Sequence, residues 1–197
     1  REKIFDSFIS TLDDRVDYTA FHDCGNGSIE DHFLNNKEVN KISKFGGNDA
    51  QSFLNLLNYV IEQDYKEEDI IYFVEDDYLH KEGWINILLE GFEMIGADYY
   101  TLYDHPDKYT QRYQGLSSQI LVSNYCHWRT VPSSCGTFAG RVRTFKEDLD
   151  IHMGSLGDHN KFTLLAQRNR NMISAMPAFA THCVNPWTSP FRDWVKV

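Results

Sequence analysis

Basic side chains are scarce in this sequence of 197 residues. It contains 19 lysines and arginines against 29 aspartates and glutamates, which gives a formal net charge of −10. Binding to a nucleic-acid backbone requires clustered lysine and arginine, so the composition argues against a nucleic-acid partner. With 42% hydrophobic and 24% charged residues, the chain has the composition of a folded domain rather than of a disordered one. We expect a single domain over residues 1–197, either truncated at its N-terminus or part of a longer protein.

Long apolar runs are also missing. No stretch approaches the roughly 18 residues that a membrane-spanning helix needs, and residues 2–12 are amphipathic, unlike a signal peptide. The four cysteines are scattered without a CxxC spacing, which favours reduced thiols in an intracellular protein over a disulfide framework. We therefore expect a soluble, cytoplasmic protein without a transmembrane segment.

Apolar periodicity predicts strands that alternate with helices. Helical spacing marks residues 2–12, 46–63, 83–96, 143–154 and 158–169. Extended patterns mark residues 15–28, 69–74, 97–105, 117–123, 126–131 and 172–183. This order predicts an α/β sheet covered by helices, in which ligands bind beyond the C-terminal ends of the strands. Two of these strands end in candidate chemistry, at Asp23 and at residues 75–77.

The stretch DIIYFVEDDYLHKEGW, residues 69–84, joins an apolar strand to three carboxylates. Residues 70–74 lead directly into Glu75, Asp76 and Asp77. Adjacent carboxylates raise one another's pKa unless something cationic neutralises them, and a divalent metal, a basic side chain or a solvated turn could each serve. Mg²⁺ and Mn²⁺ typically take one or two protein carboxylates and complete their shell with water and substrate phosphates. The pattern therefore favours a metal site, although phosphatases and nucleases also place aspartates at strand ends.

Three motifs resemble glycosyltransferases of the GT-A fold. YFVEDDYLH, residues 72–80, is similar to their acidic DxD motif, which is often written EDD in its variants. VDYTAFHDCGNGS, residues 16–28, resembles their second strand, and GGNDAQSFLNLLNYVIEQ, residues 46–63, resembles the helix before their acidic strand. The resemblance implies a Rossmann-like α/β/α sandwich with a mixed central sheet. It also implies a Mn²⁺- or Mg²⁺-dependent transfer of a sugar from a nucleotide-diphosphate donor to a glycan or other hydroxyl acceptor.

The resemblance implies roles for the residues of the donor site. Asp23 would contact the base of the donor nucleotide, for which uridine diphosphate is favoured. Asp76 would form a hydrogen bond with the ribose or the sugar. Glu75 would also belong to the donor site, and Asp77 would hold the metal. The simpler interpretation of Asp23 is a turn residue that caps the loop at Gly25.

The C-terminal half supplies the remaining candidates. In MGSLGDHNKFTLLAQRN, residues 153–169, Asp158 has the ordinary placement of an N-cap, but inverting members of the family keep their catalytic base at such a helix start. His182 would be a further metal ligand or a structural histidine. Arg192 or Lys196, in the C-terminal tail, would cover the diphosphate.

Small residues and tryptophans suggest further contacts with sugars. In SSCGTFAGRVRTF, residues 133–145, the small residues Ser133, Ser134, Gly136 and Gly140 would permit close approach of a sugar to the backbone, or the stretch would form a tight turn with a following helix. Trp84, Trp128 and Trp187 offer stacking faces, although most aromatic side chains fill the core.

Two rival functions remain open. A metal-dependent phosphoesterase or nucleotidyltransferase could use the same acidic strand end. A carbohydrate-binding module with structural calcium is disfavoured because such modules are usually rich in β-structure. One departure from the family concerns the first strand of its sheet, since this sequence opens in the helix that should follow that strand. We predict that N-terminal residues are missing from the numbered chain.

Overall fold

A computed structural model describes residues 1–25, 29–154 and 157–194. The α-helices of this described part are α1 (Glu2–Ile9), α2 (Asp49–Glu62), α3 (Trp84–Met94), α4 (Val142–Glu147), α5 (Leu149–Gly154) and α6 (Asp158–Gln167). Its strands are β1 (Thr19–Asp23), β2 (Asn40–Lys44), β3 (Ile70–Phe73), β4 (Tyr78–His80), β5 (Tyr99–Thr101), β6 (Ile120–Val122), β7 (His127–Thr130), β8 (Phe138–Arg141), β9 (Met172–Met176) and β10 (Ala180–His182). No helix in these ranges has the length and apolar character needed to cross a membrane.

A six-stranded mixed sheet forms the centre of the fold. Its strand order is β3-β8-β5-β9-β7-β6, in which β5 and β9 run parallel and the other neighbours run antiparallel. Because side chains alternate along a strand, each strand contributes to two apolar layers. Tyr100 of β5 packs with α3, whereas Tyr99 packs with α2, α4 and α6. The predicted α/β class with a mixed central sheet is thereby confirmed.

The predicted helices form where apolar periodicity coincides with suitable ends. Asn48 caps α2, since its side-chain oxygen accepts the N–H of Gln51 at 3.0 Å. Leu57 and Val60 then face the core. The helix predicted over residues 143–154 is divided into α4 and α5, whose buried side chains include Phe145 and Ile151.

Three strands were not predicted. The sequence indicates at most a short helix in residues 28–45, and two short 3₁₀ helices form there, at Ile29–Asp31 and Phe33–Asn36. They are followed by β2, which pairs in parallel with β1. β4 is only three residues long and is defined by its antiparallel pairing with β10. The predicted strand over residues 172–183 is therefore two strands, β9 and β10, separated around Pro177, which has no N–H to donate to a ladder.

The third unpredicted strand, β8, lies between β3 and β5. The interpretation of residues 133–145 as a tight turn with a following helix omits this strand, since β8 lies between the turn and α4, which begins at Val142. Gly140 is closely packed there, because a β-carbon at this position would lie 3.0 Å from the Phe145 ring and 3.2 Å from the Tyr99 ring, and both rings would have to shift by a few tenths of an ångström. Packing therefore favours a glycine in this strand, although glycine is a poor strand former.

β3 is an edge of the six-stranded sheet. It pairs with β8 on one side, and no strand of the described ranges pairs with its other side. β1 and β2 form a separate two-stranded sheet. The N-terminal strand expected from the family resemblance stays a prediction.

Candidate functional site

The acidic loop follows the C-terminal end of β3. The backbone N–H of Glu75 donates to Thr137 Oγ1 at 3.2 Å, which ties the loop to the start of β8. Gly136 lies against the carboxyl group, since a β-carbon there would be 3.0 Å from Glu75 Cδ. The loop is therefore held against the neighbouring strand through a small residue and a hydroxyl.

The pairing of β4 with β10 brings Asp77 and His182 together. His182 lies opposite Tyr78 in the ladder, and the N–H of Cys183 donates to the carbonyl oxygen of Asp77 at 2.8 Å. As a result, His182 Nε2 lies 3.0 Å from Asp77 Oδ2. Both side chains are mostly covered by protein, with accessible fractions of 23% for His182 and 14% for Asp77. Two residues predicted separately as metal ligands thus meet at one point.

Asp76 is half-exposed. Its carboxylate pairs with the guanidinium of Arg1, which also lies 3.2 Å from Asp77 Oδ2. Its negative charge acts on Tyr18, whose pKa is raised to about 12 mainly by burial. The predicted contact between Asp76 and a ribose or sugar stays a prediction.

Glu75 faces other carboxylates. Although part of Glu75 stays accessible, desolvation by the surrounding protein raises its pKa to about 7. The negative charges of Asp158, Asp77 and Asp49 add to this effect, and the hydrogen bond from Thr137 only partly opposes it. The acidic loop and the start of α6 therefore lie within electrostatic reach of each other, and the added charges favour a cation at this position.

Asp158 is the first residue of α6 and follows the N-cap Gly157. It is thus not the N-cap that the sequence indicates, although an acidic residue in the first turn still complements the helix dipole. Lys161, one turn further on, donates to Asp158 Oδ1 at 3.1 Å. The lysine is 4% exposed, and its ammonium lies 3.9 Å from the centre of the Phe53 ring. Lys161 therefore links the predicted base to α2.

Asp23 has a different environment. Its carboxylate accepts the N–H of Gly25 at 3.0 Å, of Gly46 at 2.9 Å and of Gly47 at 3.1 Å, and it also accepts the hydroxyl of Ser52. These bonds, first of all the one from Ser52, lower the pKa of Asp23 to about 2. The carboxylate thus joins the loop after β1 to the loop before α2, as the turn-capping interpretation expects. Its contact with a nucleobase stays a prediction.

Arg192 forms no salt bridge with a carboxylate of the described residues. The guanidinium of Arg192 stacks over the Phe179 ring at 4.3 Å, and burial lowers its pKa. Lys196 falls outside the described residues. The structure therefore does not bring Arg192 to the carboxylates.

A cavity of about 380 Å³ opens beside Asp158. Its walls combine one exposed aromatic residue with small and charged side chains. They are formed by His105, Asp107, Lys108, Thr110, Arg112, Tyr113, Ser133, Ser134, Cys135, Asp158, His159 and Trp187. Burial raises the pKa of the Cys135 thiol, and the charges of Asp158 and Glu75 raise it further, so this wall of the cavity lies close to the acidic loop.

The donor atoms at Asp77 and His182 fit an octahedral divalent ion. Two ligands about 2.1 Å from such an ion and at right angles to each other are about 3.0 Å apart, which is the separation of Asp77 Oδ2 and His182 Nε2. A hydrogen-bonded ion pair between the two side chains has the same separation. Carboxylate oxygen suits Mn²⁺ and Mg²⁺, whereas imidazole is bound more often by zinc, copper, iron and nickel. Across the ranges that the structure describes, no three His, Cys, Asp or Glu side chains form a complete metal site. The pair thus fits an ion whose remaining ligands are water and substrate.

Several residues of the site are not identified from the sequence. Asp49 lies in the first turn of α2, and its charge acts on Glu75. Lys161 could have been found from its i,i+3 spacing to Asp158, which places the two side chains on one face of the helix. Thr137 carries no comparable signal, because its role arises from the unpredicted strand β8.

Two comparisons with known proteins give no family for this chain. No family model matches the sequence. A search of curated proteins finds no relative.

Proposed function

We propose that this protein is a metal-dependent glycosyltransferase of the GT-A type, which moves a sugar from a nucleotide-diphosphate donor to a hydroxyl acceptor. The observation that carries the proposal is the contact of Asp77 with His182 next to Glu75, a carboxylate on which the charges of both Asp77 and Asp158 act. A divalent ion at Asp77 and His182 would act as a Lewis acid towards the donor diphosphate. The motif resemblance favours a UDP-sugar as the donor.

The proposed reaction assigns distinct tasks to the residues of the site. Asp158 accepts the proton of the acceptor hydroxyl while that oxygen bonds to the anomeric carbon of the donor sugar. The bond between this carbon and the diphosphate oxygen breaks, and the nucleoside diphosphate leaves with the electron pair. General-base assistance of this kind contributes about 10²- to 10⁴-fold. One displacement of this type inverts the anomeric centre.

Lys161 supports the proposed role of Asp158. Its ammonium holds one carboxylate oxygen at 3.1 Å, and packing on Phe53 prevents the lysine from turning away. A base with a fixed orientation can meet the acceptor hydroxyl without a further loss of side-chain entropy. The predicted contacts of Asp23, Asp76 and Arg192 with the donor belong to the same proposal and need a separate test.

The first test measures thermal unfolding with UDP, GDP, CMP or ADP, each in Mn²⁺ and in EDTA. A ligand at about 100 times its Kd stabilises a protein by about 2.7 kcal/mol, which for a chain of this size raises Tm by about 5–10 °C. We expect such a rise with UDP and Mn²⁺, and none in EDTA. A rise that persists in EDTA, or no rise with any nucleotide, would contradict the proposal.

Product analysis separates the transferase from its rival. Incubation with UDP-sugars and Mn²⁺ should release UDP and free sugar slowly in the absence of an acceptor, because water replaces the hydroxyl acceptor. A phosphoesterase would release UMP or inorganic phosphate, and a nucleotidyltransferase would form a new nucleotide bond. Either of these product patterns would replace the proposed function with the rival one.

A further inference from the structure

The cavity beside Asp158 presents the exposed tryptophan of the chain. Trp84, Trp128 and Trp194 are at most 8% exposed, whereas Trp187 is 41% exposed and lines the cavity. The backbone of Trp187 is fixed, because its carbonyl oxygen accepts the hydroxyl of the buried Tyr103 at 2.6 Å. One side of its ring is supported by His105, at 5.3 Å between ring centres. The indole is therefore held in place with accessible apolar surface beside the proposed base.

The charges around this cavity are balanced. Two carboxylates, Asp107 and Asp158, and two cationic side chains, Lys108 and Arg112, line it, and Asp107 pairs with Lys108 at 2.7 Å. Lys108 is additionally covered by the Tyr113 ring at 4.7 Å. A diphosphate would need cations that are not already matched by protein carboxylates. The lining therefore suits a neutral ligand better than an anionic one.

Hydroxyl groups in the walls could bond such a ligand. The phenol oxygen of Tyr113 is buried and has no hydrogen-bond partner within the described ranges. Ser133 and Ser134 are buried in the same wall. A buried hydroxyl without a partner carries a desolvation cost that a ligand hydroxyl or water would remove. Aromatic surface with a few polar groups, in a volume of about 380 Å³, is typical of small-molecule sites.

We propose that this cavity binds the acceptor as a neutral carbohydrate, with the apolar face of one pyranose ring stacked on Trp187 and a hydroxyl directed to Asp158. This inference rests on the proposed function for the identity of the bound sugar as an acceptor. The stacking itself rests on the exposure and fixed position of Trp187. Neutral glycosides are therefore preferred over uronic acids or sugar phosphates.

The test follows the indole N–H signals of the ¹⁵N-labelled protein. Trp84, Trp128 and Trp194 donate their indole N–H to interior oxygens, so their signals serve as internal references. The probes are the methyl glycosides of glucose, galactose and mannose, together with lactose and methyl glucuronide. We expect at least one neutral probe to shift the Trp187 signal saturably while the other three signals stay fixed. Methyl glucuronide should bind at least about tenfold more weakly than the matching glucoside.

Variants connect the signal to stacking. Trp187→Ala should weaken binding of the active probe about tenfold or more, measured by saturation-transfer NMR, because it removes the stacking surface. Tyr125→Ala is the matched control, since Tyr125 is 79% exposed and does not line the cavity. Unchanged binding in Trp187→Ala, no probe that shifts the Trp187 signal, or equal binding of glucuronide and glucoside would each overturn the inference.

A separate assay keeps this inference distinct from the proposed function. Manganese-dependent release of UDP from UDP-sugars reports on the transferase site without any acceptor. If UDP is released but no glycoside reaches Trp187, the neutral acceptor site is wrong and the transferase stands. If glycosides bind at Trp187 but no UDP-sugar is cleaved, carbohydrate binding stands, whereas the proposed function and the acceptor role of the bound sugar fail.

Discussion

Two strand ends of this protein carry carboxylates, and they use them in opposite ways. At the end of β1, Asp23 receives three backbone N–H groups and one hydroxyl, and its pKa falls to about 2. After β3, desolvation and the charges of Asp158 and Asp77 raise the pKa of Glu75 to about 7. The first carboxylate is satisfied by hydrogen bonds within the protein and joins two loops. The second lies in a group of carboxylates whose negative charges favour a cation nearby.

The largest expected effect is that replacement of Asp77 abolishes binding of the metal ion and, with it, the metal-dependent activity. In Asp77→Ala, UDP with Mn²⁺ should no longer raise Tm, and UDP release should fall by at least about 10²-fold, because the anionic ligand of the ion is gone. Calorimetric titration of Mn²⁺ checks the binding directly. The control is Asp14→Ala, because Asp14 is an exposed aspartate remote in sequence from Asp77. A normal Mn²⁺ response in Asp77→Ala would contradict the proposal that the carboxylates after β3 bind a metal ion.

Replacing Asp23 should lower the stability of the fold without affecting the binding of the metal ion. Asp23→Ala leaves three N–H groups without their charged acceptor, and because water can replace part of these bonds we expect the free energy of unfolding to fall by about 1–2 kcal/mol. Denaturant titration measures this change. Manganese binding should persist under conditions in which the variant is folded. Should stability stay unchanged while UDP binding disappears, Asp23 would be a nucleotide contact and the two strand ends would be alike in function.

Replacement of Lys161 tests whether the proposed catalytic role of Asp158 depends on its ion pair with this lysine. Methionine at this position keeps an apolar stem against Phe53 but removes the ion pair with Asp158. We expect Lys161→Met to remain folded and to lower kcat about tenfold while KM for the donor changes little. Steady-state kinetics separate these parameters, and Lys146→Met, at an exposed position of α4, is the control. An equal loss in both variants would contradict a positioning role.

The smallest expected effect concerns acid stability. Because the folded pKa of Asp23, about 2, is below its ordinary value of 3.8, the folded state binds fewer protons between these values. Its stabilising contribution is therefore complete above about pH 4 and is lost as the pH falls through about 2. Denaturant midpoints at stepped pH should decline less steeply below pH 4 in Asp23→Asn than in the unchanged chain. Parallel curves would show that the carboxylate titrates at its ordinary pKa.

Sequence patterns predicted the elements whose signals are local. α2 and α3 combine helical periodicity with recognisable ends, and β3 is an apolar run bounded by polar residues. β2 and β4 are defined by their partners instead. β8 contains Gly140, whose missing side chain makes room for two rings from other elements. Local propensity argues against β8, and tertiary packing overrides it.

The candidate site was predictable as a set of residues but not as an arrangement. The acidic loop and Asp158 stand out in the sequence, yet 81 positions separate Asp77 from Asp158. The contact between Asp77 and His182 depends on the pairing of β4 with β10, and strands of three residues give no sequence pattern that would predict this pairing. The bonds to Asp23 depend equally on a loop more than 20 residues away. Contacts of this kind arise only when the chain has folded.

Arg1 has a consequence for the strength of ion binding at the acidic loop. Its guanidinium pairs with Asp76 and lies 3.2 Å from Asp77, so this loop already holds a monovalent counter-ion supplied by the chain. Binding of a divalent ion at Asp77 is therefore an exchange, and its measured affinity includes the work of releasing the arginine. The carbonyl oxygen of Arg1 also accepts the N–H of Ile4 and of Phe5. The first turn of α1 thereby becomes a reporter of that exchange, and hydrogen exchange at these two amides should respond when the loop changes its cation.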